Sequence, residues 1–367
     1  MRSLVHIVNG NMMAGAQQYA LDICRHYKEQ GCNVVALTKG AHAIDSKFSA
    51  AGIKVAHAPL RGFLDCTSVI RVARFIRTLP KGEVIFHAHR YRDAYTAMLA
   101  RWLAKRPDVK IVATRHAVRK GRDSGIFRKL YSNIDAHIFV SRLAYERFCR
   151  SWEGKNIPLS DDKVFVLHNS LYIPLLPSPL PEPEKGPVTA IYHGPIADGK
   201  GLETLIDALM SMRNVKMRLL IAGNGSPDFL DRLRKRAMIR EVMDAIDWNT
   251  NCDDPSALIA KAHFGVVPSI ESEAFGMGNL RYMALGRPQV CTYNGAQTEY
   301  LRDGATAFLV PPADTATLSE AMTRLARSAE LRLRMGAEAQ KDFNANLAWD
   351  SFTRKLDDIY DKCFRPT

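Results

Sequence analysis

Pro268-Ser269-Ile270-Glu271-Ser272-Glu273-Ala274-Phe275-Gly276-Met277-Gly278-Asn279-Leu280-Arg281-Tyr282-Met283-Ala284-Leu285-Gly286-Arg287-Pro288 is the most informative stretch of the chain. The apolar run Phe264 to Val267 predicts a strand ending near Pro268, and a helix is expected from about Gly278. Between them, glycines let the backbone come close to a ligand. Amide groups at a helix start, together with the positive end of its dipole, suit an anion such as a diphosphate.

Working outward, the same unit recurs. Strands are expected at Leu4 to Val8, Val34 to Leu37, Lys54 to Ala58, Val84 to Ala88, Lys110 to Thr114 and Ala136 to Val140, with helical segments between them, the first from about Ala16 to Gln30. The rhythm restarts at Val188 to Tyr192 and continues at Arg218 to Ala222, Phe264 to Val267 and Gln289 to Cys291. Short apolar strands alternating with helices indicate an α/β chain with parallel sheets covered on both faces. Between the two series, Pro174, Pro177, Pro179, Pro181, Pro183 and Pro187 favour a stiff extended linker. The reading is two doubly wound, Rossmann-like domains, 1–180 and 181–349, binding ligands in a cleft at the carboxyl ends of their strands. A final helix, 350–367, with Phe352, Leu356, Ile359 and Tyr360 at helical spacing, is expected to pack back on the first domain.

A length of 367 residues suits two domains, and 47% apolar with 24% charged residues describes a globular protein rather than a disordered one. No apolar run reaches the roughly 20 residues of a membrane span, and Met1 to Gly10 resembles a strand rather than a signal peptide, so a cytoplasmic chain is expected. Seven cysteines without paired short spacing suggest reduced, mostly buried thiols and neither a disulfide framework nor a zinc site. The net charge of +13 is lopsided: residues 1–180 hold 28 Lys and Arg against 13 Asp and Glu, and the remainder holds 23 against 25. Such a field attracts nucleic acid, an anionic membrane surface or a phosphorylated substrate, and charge alone does not choose among them.

The pattern Pro-Ser, Glu, x, Phe-Gly, then Met-Ala-x-Gly-x-Pro in the opening stretch resembles the donor-site signature of family 4 retaining glycosyltransferases, which have the GT-B fold. The resemblance implies that Glu273 orients the donor sugar and that the backbone around Phe275, Gly276, Met277, Gly278 and Asn279 meets sugar and phosphate. Where the family carries a second glutamate, eight residues after the first, this chain has Arg281. A second match, Tyr192-His193-Gly194-Pro195-Ile196-Ala197-Asp198-Gly199-Lys200-Gly201-Leu202, sets Gly194 and Lys200 on the family's phosphate-clamping loop, with Pro195 in place of its arginine. Arg281 is a candidate to restore that charge from another direction. Gly223-Asn224-Gly225 resembles the family's Gly-x-Gly loop, Ile246 to Asn249 falls where the base is flanked, and Gly15 falls in its glycine-rich loop. His116 matches the histidine near the reacting sugar, while Val140-Ser141 and His168-Asn169 match strand-end positions.

The resemblance thus implies a metal-independent transfer from a nucleotide sugar donor to a glycan or lipid-linked acceptor, with His116, Lys200 and Glu273 as the catalytic set and no cofactor. The sequence contains no Asp-x-Asp, and Asp253-Asp254 read as caps before a helix, which agrees with a site without metal. Each of these residues also has a plainer reading: Glu273 as a loop carboxylate, Lys200 as a surface lysine, Gly15 as a turn glycine, and His116 as one of several strand-end histidines with His87, His89, His168 and His193. Two basic groups could meet an acceptor or an anionic membrane: Arg71, Arg74 and Arg77 on one helix, and Arg119, Lys120, Arg122, Arg128 and Lys129 around Ile126, Phe127, Leu130 and Tyr131. The plain alternative for both is a solvated helix face. Pro195 and Arg281 motivate a rival reading, a protein of this fold that binds or assists without transfer. A nucleic-acid binder is the other rival, without a recognisable module to support it.

Overall fold

The computed structural model describes residues 2–62, 65–172, 187–250, 252 and 255–365. The linker prolines from Pro174 to Pro183 and the pair Asp253-Asp254 lie outside the described residues. The chain divides into two compact units, Met1–Tyr172 with Trp349–Thr367, and Ile173–Ala348.

The first unit is built on seven parallel strands: β1 Ser3–Val8, β2 Asn33–Thr38, β3 Lys54–His57, β4 Val84–Ala88, β5 Val109–Arg115, β6 Ala136–Phe139 and β7 Val164–Val166, in the order β3-β2-β1-β4-β5-β6-β7. Strands β1 and β4 are buried along their whole length, as central parallel strands covered by helices on both faces must be. The terminal helix Trp349–Lys362 closes this unit. Its Phe352, Leu356, Ile359 and Tyr360 lie on one face in the core with Leu4, Ile23 and Ile85, each contributing on the order of 2 kcal/mol of burial. Polar contacts fix its register: Arg2 pairs with Asp361 at 2.5 Å and the Tyr27 hydroxyl donates to Asp357 at 2.7 Å.

The second unit holds six parallel strands: β8 Val188–His193, β9 Met217–Ala222, β10 Ile246–Asn249, β11 Phe264–Val267, β12 Gln289–Thr292 and β13 Phe308–Val310, in the order β10-β9-β8-β11-β12-β13. Leu202, Leu205, Ile206 and Leu209 recur at helical spacing on Leu202–Ser211 and fill one face of the sheet. Gly265 on β11 has a packing cause: a Cβ there would lie 2.4 Å from the Tyr282 ring.

Both sheets reverse strand order once, between β1 and β4 in the first unit and between β8 and β11 in the second. Loops leaving adjacent strands diverge at such a point, and open α/β sheets bind ligands in the crevice they leave. The thiols differ from expectation: Cys24, Cys291 and Cys363 are buried, Cys66 is exposed, and Cys32, Cys149 and Cys252 are half-buried near helix ends and loops. Among the described residues no helix is long and apolar enough to cross a membrane.

Candidate active site

In the second unit the loops that follow β8, β9 and β11 interlock. Gly194 N donates to Ala222 O at 3.0 Å, Ile196 N to Asn224 O at 2.9 Å, and the amides of Ile270 and Glu271 both donate to Gly199 O, at 2.8 and 3.0 Å. The approach is so close that side chains are excluded. At Gly201 (φ +72°) a Cβ would lie 1.8 Å from Pro268 O, and at Gly223 (φ +150°) 1.8 Å from Gly194 O. Gly225 likewise backs on Ile196 O at 2.5 Å. Gly223 and Gly225, expected as donor contacts, have a sufficient reason in loop packing, where they let the loop after β9 close on the loop after β8.

Lys200 and Glu273, 73 positions apart in sequence, meet on this scaffold. Lys200 Nζ donates to Glu273 Oε1 at 2.6 Å, and Ser269 Oγ donates to the same oxygen at 2.8 Å. Their side chains are 25% and 21% exposed, so the pair is partly desolvated and still reachable. The loop after β12 braces it from behind: Thr292 Oγ1 and Asn294 Nδ2 donate to Ser269 O at 2.7 and 2.9 Å, and Ala296 N donates to Glu273 O at 3.0 Å. A carboxylate, an ammonium group and a helix start are thus held on loops tied together by backbone amides and by the short side chains of Ser269, Thr292 and Asn294.

That helix is Met277–Ala284, capped by Gly276 in the left-handed region (φ +87°), one residue earlier than the sequence suggested. Phe275 and Asn279 turn inward. Phe275 is buried and its ring lies tilted against Tyr300 at 4.8 Å, and Asn279, also buried, donates from Nδ2 to Tyr300 at 3.2 Å. Their side chains are anchors of the turn, and their backbone, the part the resemblance points to, stands at the helix start. Arg281, one turn on, donates to Ser256 Oγ at 3.3 Å. Sequence reasoning read His193 only as a strand-end histidine and gave Tyr282 no role. His193 Nδ1 is 2.7 Å from the Tyr282 hydroxyl, and the His193 ring abuts Gly278.

The first unit places different chemistry at its switch point. His6, His89 and His116 form a hydrogen-bonded row, with His6 Nδ1 3.1 Å from His89 Nε2 and His89 Nδ1 3.2 Å from His116 Nε2. His87 lies beside it, its two nitrogens bonded to Tyr360 at 2.7 Å and Thr114 at 2.6 Å. Burial pushes His6 and His116 down to about 3, and burial with neighbouring histidines lowers His87 and His89 as well. The row is neutral at ordinary pH, so His116 offers a hydrogen bond and not a charge. Its Nε2 is turned to His89.

Nitrogens of His6, His87 and His89 lie within 4.8 Å of one another, a metal-like grouping in which the hydrogen bonds just described engage every nitrogen except His6 Nε2, which is buried and has no hydrogen-bond partner among the described residues. Asn9, Gln17 and Asp93 were not singled out from sequence. Asn9 Nδ2 donates to Asp93 Oδ1 at 2.9 Å and Gln17 Nε2 donates to Asn9 O at 3.2 Å, beside the loop after β1. The signal for them was Asn9-Gly10 at a strand end, since a Cβ at Gly10 would lie 2.6 Å from Gln17 Nε2. Gly15 starts the helix Gly15–Glu29 and is exposed. Ser141, matched to a strand end, caps the next helix by accepting from Ala144 N at 3.1 Å.

The second basic group is smaller than expected. Leu130 and Tyr131 are buried on the inner face of Gly125–Ser132, so Ile126, 58% exposed, and part of Phe127 are its apolar share. Arg128 is tied to Asp123 at 2.8 Å and Arg122 lies over Phe127 at 5.1 Å, while Arg119, Lys120 and Lys129 are exposed. In the first group Arg71, Arg74 and Arg77 are exposed on Cys66–Thr78, whose Val72, Ala73 and Ile76 are buried.

Two Rossmann-like parallel α/β units, the second carrying an ion pair and a helix start at its switch point, define the GT-B class of glycosyltransferases. The family models agree: residues 179–342 match "Glycosyl transferases group 1" and residues 13–171 match "Glycosyltransferase Family 4". The chain belongs to these group 1, family 4 glycosyltransferases. It is similar to the phosphatidyl-myo-inositol mannosyltransferase of Mycobacterium leprae, 28% identical over 307 residues, 79% of this chain and 76% of that protein. Among solved structures, a glycosyltransferase from Rickettsia africae matches with a TM-score of 0.85 at 18% identity, covering 100% of this chain and 99% of that one. Anabaena HepE, solved with UDP and glucose, matches with a TM-score of 0.80 at 16% identity, covering 97% and 98%.

Proposed function

We propose that this glycosyltransferase takes its sugar from a nucleoside diphosphate donor bound in the second unit and passes it, with retention of configuration, to a glycan or lipid-linked acceptor of cell-surface polysaccharide or lipopolysaccharide synthesis. The observation that carries the reading is the Lys200–Glu273 pair, set by interlocked loops beside the start of Met277–Ala284. A diphosphate at a helix start gains from the amides and the dipole, and Lys200 would meet the charge that grows on it as the sugar bond breaks. Glu273 would orient sugar hydroxyls, with Ser269 keeping one carboxylate oxygen in place. His116 would contribute a neutral hydrogen bond to sugar or phosphate. The transfer is proposed to proceed without metal or other cofactor.

Support for the donor class comes from the UDP and glucose in the HepE complex, and support for a lipid-linked acceptor from the mannosyltransferase relative, whose name specifies a phosphatidylinositol. The basic first unit would hold such an acceptor's anionic surroundings, as a peripheral protein at the inner face of the membrane.

The test is a panel of UDP, GDP and ADP sugars screened by thermal shift, followed by release of nucleoside diphosphate with and without acceptor extracts. One donor is expected to stabilise the chain and be turned over. Lys200→Ala is expected to lower turnover at least a hundredfold, in line with about 3 kcal/mol for one preorganised charge contact, while melting changes little. Binding without turnover would instead assign the chain an assisting role.

A further inference from the structure

The helix Tyr91–Ala104, which joins β4 to β5, is built with its small side chains inside and its large apolar ones outside. Ala94, Ala97, Ala100 and Ala104 are buried against the fold, while Tyr95, Met98, Leu99 and Trp102, at spacing i, i+3, i+4 and i+7, form the opposite stripe. Trp102 is 79% exposed and the other three are half-buried. A solvated helix face carries charged side chains, and this stripe has none. An apolar stripe turned outward in this way marks a contact surface.

Its neighbours are basic. The crossovers from β3 to β4, β4 to β5 and β5 to β6 all run the same way along the sheet, so right-handed connections set Cys66–Thr78, Tyr91–Ala104 and Gly125–Ser132 on one face in that order. Side chains tie them together: Arg77 Nη2 donates to Leu103 O at 2.7 Å, and Arg101 Nη2 donates to Asn133 O, just past Gly125–Ser132, at 3.0 Å. Cys66–Thr78 turns Arg71, Arg74 and Arg77 outward together with Ile70, which is 44% exposed. On the far side Gly125–Ser132 exposes Ile126 and Lys129. The single carboxylate of the three helices, Asp93, is buried. The face is therefore an apolar ridge between basic flanks, without acidic side chains to neutralise them.

The occupant follows from that charge. A second copy of the chain would bring arginine against arginine, and an acidic protein would need a hollow shaped to the tryptophan. An anionic bilayer meets both demands, with headgroup phosphates for the arginines and the acyl boundary for the indole, whose preferred place is that boundary. We infer, on the reading above that the chain works as a peripheral protein at a membrane, that this face docks on an anionic lipid bilayer with Trp102 as the side chain that enters the lipid.

Loss of charge alone would report the basicity of the whole unit, so the tryptophan is the test. The full chain is sedimented with vesicles of phosphatidylglycerol and phosphatidylcholine. Trp102→Ser is expected to weaken partition about tenfold, as withholding one large apolar side chain from lipid does, with melting and nucleoside diphosphate binding unchanged. Arg74→Gln should weaken it about fivefold. Of the four tryptophans Trp102 is the exposed one, so vesicles with brominated acyl chains should quench the wild-type emission, and Trp102→Phe should still bind and lose most of the quenching. Should Trp102→Ser melt early, that comparison decides by itself. Partition of folded Trp102→Ser within twofold of wild type, or quenching retained in Trp102→Phe, overturns the inference and leaves the peripheral reading standing. A concentration-dependent wild-type dimer that Trp102→Ser abolishes, with vesicle partition unchanged, gives the face to a second copy and overturns it too. No partition of wild type into anionic vesicles overturns both.

Discussion

The two units share one topology and furnish it in opposite ways. Where strand order reverses in the first, the strand ends carry a row of buried and half-buried, neutral histidines; where it reverses in the second, they carry an ion pair on loops packed backbone to backbone. A parallel sheet supplies the crevice, and the residues that follow its strands decide whether that crevice handles charge or offers neutral hydrogen bonds. The second arrangement suits a diphosphate. The first suits a sugar hydroxyl, which needs orientation more than it needs charge.

The sharpest way to break this contrast is through the glycines. If the second site depends on loops touching, Gly201→Ala must push Pro268 O away from 1.8 Å while also straining a φ of +72°, and should destabilise by about 3 kcal/mol. Gly31 in the first unit has a similar φ of +79° with nothing within 4 Å, so Gly31→Ala should show the backbone strain alone, about 1–2 kcal/mol. Urea denaturation of both variants measures the difference. Equal losses would mean that the loop contact is soft and that the second site is less rigid than its hydrogen bonds suggest.

These glycines also mark how far the sequence could be read. Gly201 and Gly223 stood out only as parts of a resemblance, because the carbonyls that exclude a side chain belong to loops 67 and 29 positions away. Central strands such as Val84–Ala88 were legible since burial on both faces forces a continuous apolar run. The strands Val164–Val166 and Phe308–Val310 were not, being three-residue edge strands, and Ile246–Asn249 hid behind its polar residues. Lys200 and Glu273 were readable from their motifs, and their meeting was not. The histidine row was within reach: His87-x-His89 puts two rings on one side of the chain, but only the register of His6 beside His87 shows what they join.

Acid should sharpen the contrast next. The folded first unit keeps His6 and His116 neutral down to about 3, and His137 down to about 4, whereas unfolded histidine takes a proton near 6.5. Below about 6.5 the unfolded chain therefore binds more protons, and stability, complete above that pH, falls as the pH drops toward 3. Each such histidine contributes up to about 1.4 kcal/mol per pH unit in that window. Asp65, Asp108 and Asp123, held below the ordinary carboxylate range by hydrogen bonds and cations, lose their contribution only at lower pH. Buried Asp93, raised by burial, works in the opposite sense. Urea midpoints between pH 7 and 5.5, compared between wild type and a histidine variant, read the histidines' share. His6→Gln should flatten the slope by up to one proton, and an unchanged slope would show that the row opens to water before the unit unfolds.

The smallest effect concerns the surface, where the excess of basic over acidic residues lies wholly in the first 180 positions. If the group at Arg119, Lys120, Arg122 and Lys129 meets an anionic bilayer, each charge removed should cost about 1 kcal/mol, or roughly fivefold in partition. Arg128 should matter less, because its charge is already met by Asp123 at 2.8 Å. Ile126→Ser should add a further loss if the exposed side chain enters the lipid, and none if the contact is electrostatic alone. Co-sedimentation with vesicles of phosphatidylglycerol and phosphatidylcholine reads all three. Equal losses from Lys120→Gln and from Arg71→Gln would spread the attraction over the whole basic unit, since a uniform field does not single out one face, and salt would then abolish binding of both variants alike.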